Sequence, residues 1–203
     1  MIKVKICGVT SVDDARMAAE MGASAVGLVF WPQSPRAVEI EQAKRIVAAL
    51  PPFVSAVGVF VNQPEAADIA REVGLSAVQL HGDEPPDTYR GLPVRVIKAV
   101  AVTGNGSGDL AAAIPASATV LLDAHDPVKR GGTGRAIDWT VAAAVARRRP
   151  IILSGGLNAD NVVGAVEAVR PYAIDVSSGV ESAPGRKDAA KLRALFDVLR
   201  TSA

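Results

Sequence analysis

Residues 151–158 read Ile151-Ile152-Leu153-Ser154-Gly155-Gly156-Leu157-Asn158. An apolar, β-branched run halts at two glycines, and Asn158, a good N-cap residue, then opens a helical pattern that ends before Pro171. A strand that delivers backbone amides to a helix start, with two residues lacking side chains between them, lets an anion approach the N–H groups under a favourable helix dipole. A lone Gly-Gly pair also fits an ordinary strand-to-helix turn. The next unit tips the balance: Ile174-Asp175-Val176-Ser177-Ser178-Gly179-Val180 repeats the design, ending a strand in small hydroxyl and glycine residues. Two consecutive strands that end this way resemble the phosphate cup of (β/α)8 barrels, built by the loops after strands seven and eight.

Working outward, short apolar runs alternate with helical patterns along the whole chain, which predicts βαβ units and a parallel sheet. The runs are residues 2–7, 24–30, 54–61, 76–80, 94–100, 118–122, 150–154 and 172–176, apolar at nearly every position, as strands covered by helices should be. Helices are predicted over 11–21, 39–49, 64–73, 85–90, 138–148, 158–169 and 187–201. Ser11 caps the first, with Asp14 three residues on and Gly22 placed for a left-handed stop. Leu192, Leu195, Phe196 and Leu199 form a one-faced stripe on the last, read as core. Between strands five and six, Thr103-Gly104-Asn105-Gly106-Ser107-Gly108 is loop chemistry, so the fifth helix should be short or irregular. The fold class predicted is α/β, a single (β/α)8 TIM barrel of minimal length spanning 1–203.

The totals narrow the function. With 203 residues, 49% hydrophobic, 4% aromatic and a net charge of +1, the chain suits one globular domain, not a basic surface that tracks nucleic acid. No long apolar segment points to a membrane span or secretory signal, and one cysteine excludes an internal disulfide. The expectation is a soluble cytoplasmic protein without a metal, since no Cys/His/carboxylate spacing resembles a metal site.

In this fold the active site lies at the carboxyl ends of the strands. Strand one ends at Cys7, a base or nucleophile if nearby positive charge lowers its reference pKa of about 8.5, and otherwise an inert buried thiol. Strand six ends at Asp123; a carboxyl group shut away from water keeps its proton and can donate it, or it can serve loop amides. Strands one and six are three steps apart around a closed barrel, so Cys7 and Asp123 should face each other across the mouth, an arrangement suited to proton-shuttling isomerisation. Arg36, after two stiffening prolines, could clamp a carboxylate, although a solvated rim position is the simpler account. His81 touches ligand or fixes its loop. Asp175, inside an apolar strand, needs a buried partner. Loop 124–138, with Gly131-Gly132-Thr133-Gly134, reads as a lid or as a plain connection.

With these residues assembled, the chain resembles the phosphoribosylanthranilate isomerase family of tryptophan biosynthesis. The segments that carry the likeness include Lys5-Ile6-Cys7-Gly8, Ser34-Pro35-Arg36, Val78-Gln79-Leu80-His81-Gly82, Leu121-Leu122-Asp123, Leu153-Ser154-Gly155-Gly156-Leu157 and Asp175-Val176-Ser177-Ser178-Gly179-Val180-Glu181, in that order. The resemblance implies an Amadori rearrangement of a phosphorylated small-molecule substrate without a cofactor. Asp123 would be the general acid and Cys7 the base; Arg36 would bind the anthranilate carboxylate, Asp175 the bridging amine, and amides around Gly155, Gly156, Ser178 and Gly179 the phosphate. Asp126 is a second possible acid. A bifunctional isomerase that also serves histidine synthesis, an indole-glycerol-phosphate synthase with Lys98 as acid, and a non-catalytic sugar-phosphate sensor are the alternatives. The assembly expected is a monomer or homodimer.

Overall fold

The computed structural model describes residues 2–85, 88, 92, 94–102, 107–124 and 137–202. Eight strands, β1 Lys3–Cys7, β2 Ala25–Val29, β3 Ser55–Phe60, β4 Ala77–Leu80, β5 Arg95–Val102, β6 Ala118–Ala124, β7 Ile151–Leu153 and β8 Ala173–Val176, pair in sequence order, and β8 closes on β1. Every pairing around the ring is parallel. Each predicted run is one of these strands, and the closed ring with its outer helices is a (β/α)8 barrel.

The helices are α1 Val12–Met21, α2 Ile40–Ala48, α3 Ala66–Val73, α4 Ser107–Ala113, α5 Trp139–Ala146, α6 Val162–Val169 and α7 Ala189–Thr201. Ser11 Oγ accepts from the Asp14 amide, and Gly22 closes α1 at φ 113°, as its sequence predicts. Between β5 and β6 stands α4, only 7 residues long, in place of a full helix. Most of the predicted helix 85–90, the loop 103–106 and most of the glycine-rich stretch 124–138, Asp126 included, lie outside the described residues.

Three predicted boundaries move for local reasons. Asn158 does not cap α6: its side chain accepts from the Asp160 amide at 2.8 Å and its carbonyl from Val162 N at 3.0 Å, so it opens a turn and the helix begins four residues later. The last helix starts at Ala189, capped by Asp188, because Lys187 belongs to a small hairpin, β9 Glu181–Ala183 and β10 Arg186–Lys187. Strand β6 continues to Ala124, which places Asp123 inside the strand.

Alternation along the strands sorts the chain into two cores. Outward residues such as Ile6, Leu28, Leu122, Leu153 and Ile174 join the helices' apolar faces, including Leu192, Leu195, Phe196 and Leu199, in the main cluster. Inward residues Val57, Ala77, Ile97, Leu121, Ile152 and Ala173 fill the barrel, and Cys7, Val29 and Val59 form a smaller cluster of their own. Among the described residues no helix is long and apolar enough to cross a membrane. Leu195 is fully buried in the outer layer, so Leu195→Ala should lower stability by about 2–5 kcal/mol, read as a lower urea midpoint at unchanged slope.

Candidate active site

The same alternation that buries Ile97 and Leu121 turns chemistry into the barrel mouth. One step further along each strand face come Cys7, Gln79, Asp123, Ser154 and Asp175, and these line a single cavity with Arg36, His81 and Ser177. The five ionisable residues singled out in the sequence, Cys7, Arg36, His81, Asp123 and Asp175, are thus brought together. Lys98 is not among them: on β5 it follows inward-facing Ile97, and its Nζ donates to the Leu80 and Gly82 carbonyls at 3.4 and 2.5 Å and to Glu84 Oε2 at 2.8 Å. That leaves it a bracing residue beneath the β4 loop.

Asp175 has the buried partner its position demanded. Lys5 and Asp175 are register partners across the β1–β8 junction, and Lys5 Nζ donates to Asp175 Oδ1 at 2.9 Å with both side chains about 5–6% exposed. Burial alone would discharge the lysine, but Asp175 and the neighbouring Cys7 thiol outweigh it and hold the ammonium above its ordinary range. Gly27 on β2 makes this possible: a methyl group there would sit 2.8 Å from Cys7 Sγ and 3.1 Å from Lys5 Nζ. Lys5 was overlooked in the sequence as a site residue. The signal was available, for a lysine two residues before Cys7 shares its face of the strand. The positive charge that a base at Cys7 would need is there in Lys5, but it does not lower the thiol in the ligand-free site: burial pushes the thiol up, and Lys5, opposing, does not cancel that.

Arg36 is not a solvated rim residue. Its Nε donates to Glu181 Oε1 and Oε2 at 2.9 and 3.2 Å and its Nη2 to Oε2 at 2.6 Å, a forked pair with side chains 12% and 4% exposed. Ser34 Oγ accepts the Arg36 amide at 3.1 Å, which tightens the loop after β2, and the arginine stem fills the space a Gly8 side chain would need. Glu181 also accepts from Lys187 Nζ at 2.7 Å, while that ammonium donates to the Cys7 carbonyl at 2.5 Å. A hairpin no sequence pattern announced therefore ties the end of β1 to Arg36. Burial pulls the Lys187 ammonium down despite Glu181. For Glu181 burial acts upward, but Arg36 and Lys187 prevail and its carboxyl lies below the ordinary value.

Across the mouth, Gln79 Nε2 lies 2.9 Å from His81 Nδ1, and an amide nitrogen can only donate, so His81 Nε2 is the ring nitrogen that faces Asp123 Oδ2, 3.3 Å away. Gln79 Oε1 is buried and has no hydrogen-bond partner among the described residues. The glycine loops follow Ser154 and Ser177. Gly155 and Gly156 take φ 94° and 64°, open to glycine, and Asn161 Nδ2 braces the Gly156 carbonyl at 2.9 Å. Ser178–Val180 is a short 3-10 turn, and any side chain at Gly179 would collide with the Leu157 carbonyl, so the two loops pack directly on each other.

Comparison with known proteins decides the family. Residues 4–198 match the family model of N-(5'-phosphoribosyl)anthranilate isomerase. The chain belongs to that family. The isomerase of Geobacter metallireducens is 54% identical over 195 residues, covering 95% of this chain and 96% of its own length. The Thermotoga maritima enzyme superposes with a TM-score of 0.92 at 43% identity, covering 99% of this chain and all of that one. A family structure in complex with reduced 1-(o-carboxyphenylamino)-1-deoxyribulose 5-phosphate superposes with a TM-score of 0.89 at 42% identity, covering 99% of this chain and 100% of its own.

Because Glu181 titrates below its unfolded value of about 4.5, the native state gains from its ionisation at any pH above that value and loses the gain as pH falls through the folded pKa. The melting temperature of wild type should therefore exceed that of Glu181→Gln by a constant margin at neutral pH, and the margin should shrink on acidification below about pH 4.5.

Proposed function

We propose that the chain, acting as one catalytic unit, converts N-(5'-phosphoribosyl)anthranilate into 1-(2-carboxyphenylamino)-1-deoxyribulose 5-phosphate. The observation that carries this reading is a thiol and a carboxyl group, Cys7 and Asp123, lining one cavity from strands three steps apart in the ring. Asp123 gives its proton to the furanose oxygen as the C1–O bond breaks, and the anthranilate nitrogen lone pair forms the C1 iminium. Cys7 as thiolate then removes the C2 proton, and the electrons of that bond neutralise the iminium to give an enolamine, which tautomerises to the ketone. The nitrogen supplies the electrons for ring opening, so the scheme calls for no cofactor.

The remaining residues bind and orient. Arg36, whose Nε and Nη2 are engaged by Glu181, presents Nη1 to the anthranilate carboxylate. Asp175 meets the bridging amine, His81 steadies Asp123 through Nε2, and Gln79 Oε1 accepts from a sugar hydroxyl. Amides of Gly155, Gly156, Ser178 and Gly179, reached past Ser154 and Ser177, hold the phosphate.

Loss of anthranilate fluorescence on adding phosphoribosylanthranilate made in situ tests the reading. Wild type should turn over, and Cys7→Ser and Asp123→Asn should each lose about 10²–10⁴-fold in kcat while still binding the reduced product analogue. Full activity in Cys7→Ser would remove the thiolate from the scheme. A methyl group at Gly179 should push the two loops apart, so Gly179→Ala is expected to raise KM about 10-fold or more with a smaller effect on kcat.

A further inference from the structure

The scheme asks a thiol buried in an apolar collar to serve as thiolate, and what meets that demand is a residue the reaction itself does not use. Cys7 packs with Val29 and Val59, which offer the sulfur no charge. The groups that do face it come from several elements. Lys5 shares its face of β1, and Asp175 approaches from β8, bound to Lys5 at 2.9 Å. From β10 the Lys187 ammonium sits on the Cys7 carbonyl, with Glu181 and Arg36 behind it. His81 and Asp123 line the far wall of the cavity. On β2, Gly27 leaves one gap that Cys7 Sγ and Lys5 Nζ both border, at 2.8 and 3.1 Å from the space a methyl would occupy.

We propose that Lys5 is a positioning residue of this reaction: its buried ammonium draws the Cys7 sulfur toward the thiolate form, and Asp175 sets how much of that charge the sulfur receives. The proposal rests on Cys7 being the base. A lysine inside a barrel is expensive to bury, and a strand need only place a leucine there for packing. The directions agree: burial pushes the thiol up, Lys5 is foremost among the charges pulling it down, and Asp175 acts against Lys5. Substrate that engages Asp175 through its amine therefore frees Lys5 for the sulfur, which couples binding to activation of the base.

The chain has a single cysteine, so the ultraviolet absorbance of thiolate, with Cys7→Ser as blank, titrates Cys7 alone in the ligand-free protein. In Lys5→Met the midpoint should rise by about one pH unit or more, and in Asp175→Asn it should fall; Lys5→Arg, which keeps the charge, should stay near wild type. If Asp175 left alone in Lys5→Met prevents folding, Lys5→Met/Asp175→Asn buries no unpaired charge, and its midpoint should still lie above wild type. The acid limb of kcat/KM should move with the midpoint, costing about 10-fold in rate per unit at a fixed pH below it. Midpoints unchanged in the folded Lys5 variants would overturn the proposal and make Lys5 a structural partner of Asp175. Midpoints that shift as stated, together with an active Cys7→Ser, would instead overturn the assignment of the base and leave the coupling of Lys5 to the sulfur standing.

Discussion

A parallel sheet that closes on itself must bury whatever its strands point inward, and at the junction of β1 and β8 those residues are a lysine and an aspartate in register. Neither charge could remain there alone: each would meet a desolvation cost of several kcal/mol per ion, and each is offset only because closure presents the other at 2.9 Å. The pair therefore depends on the ring being shut, and the mouth above it depends on the pair. Cys7 stands directly on Lys5, and Asp175 reaches the same cavity.

Above the closure, a second set of ionic contacts fixes what loops alone would leave loose. Glu181 receives Arg36 and Lys187 together, and Lys187 ends on the backbone of Cys7. The loop after β2, the end of β1 and the hairpin after β8 are thus tied through one carboxylate, which holds the Arg36 guanidinium by two of its nitrogens in one orientation. Glycines do complementary work by omission. Gly27 leaves room for the sulfur and the ammonium, and Gly179 lets two loop backbones touch. A rim assembled this way fixes where the Cys7 thiol and the Asp123 carboxyl group stand in the cavity they share.

Much of this was legible from residue order. The eight apolar runs became the eight strands because helices cover them on one side and packed side chains on the other, so their sequences show no exposed face. Cys7, Arg36, His81, Asp123 and Asp175 could be chosen because a barrel fold assigns function to strand ends. Asn158 misled for a local reason, since the side chain that makes a good helix cap also makes a good turn, and the backbone after two left-handed glycines took the turn.

By itself, then, the amino-acid order determined the number and type of the elements, the parallel barrel and the strand ends that line its mouth, since periodicity and turn residues act over a few neighbours. Only the tertiary structure decided the pairings: Lys5 with Asp175 across 170 positions, Arg36 with Glu181 across 145, and Lys187 on Cys7 across 180. Contacts at such separations leave no periodic trace in a single chain. Their partners are chosen by ring closure and by the low dielectric that makes an unpaired choice costly.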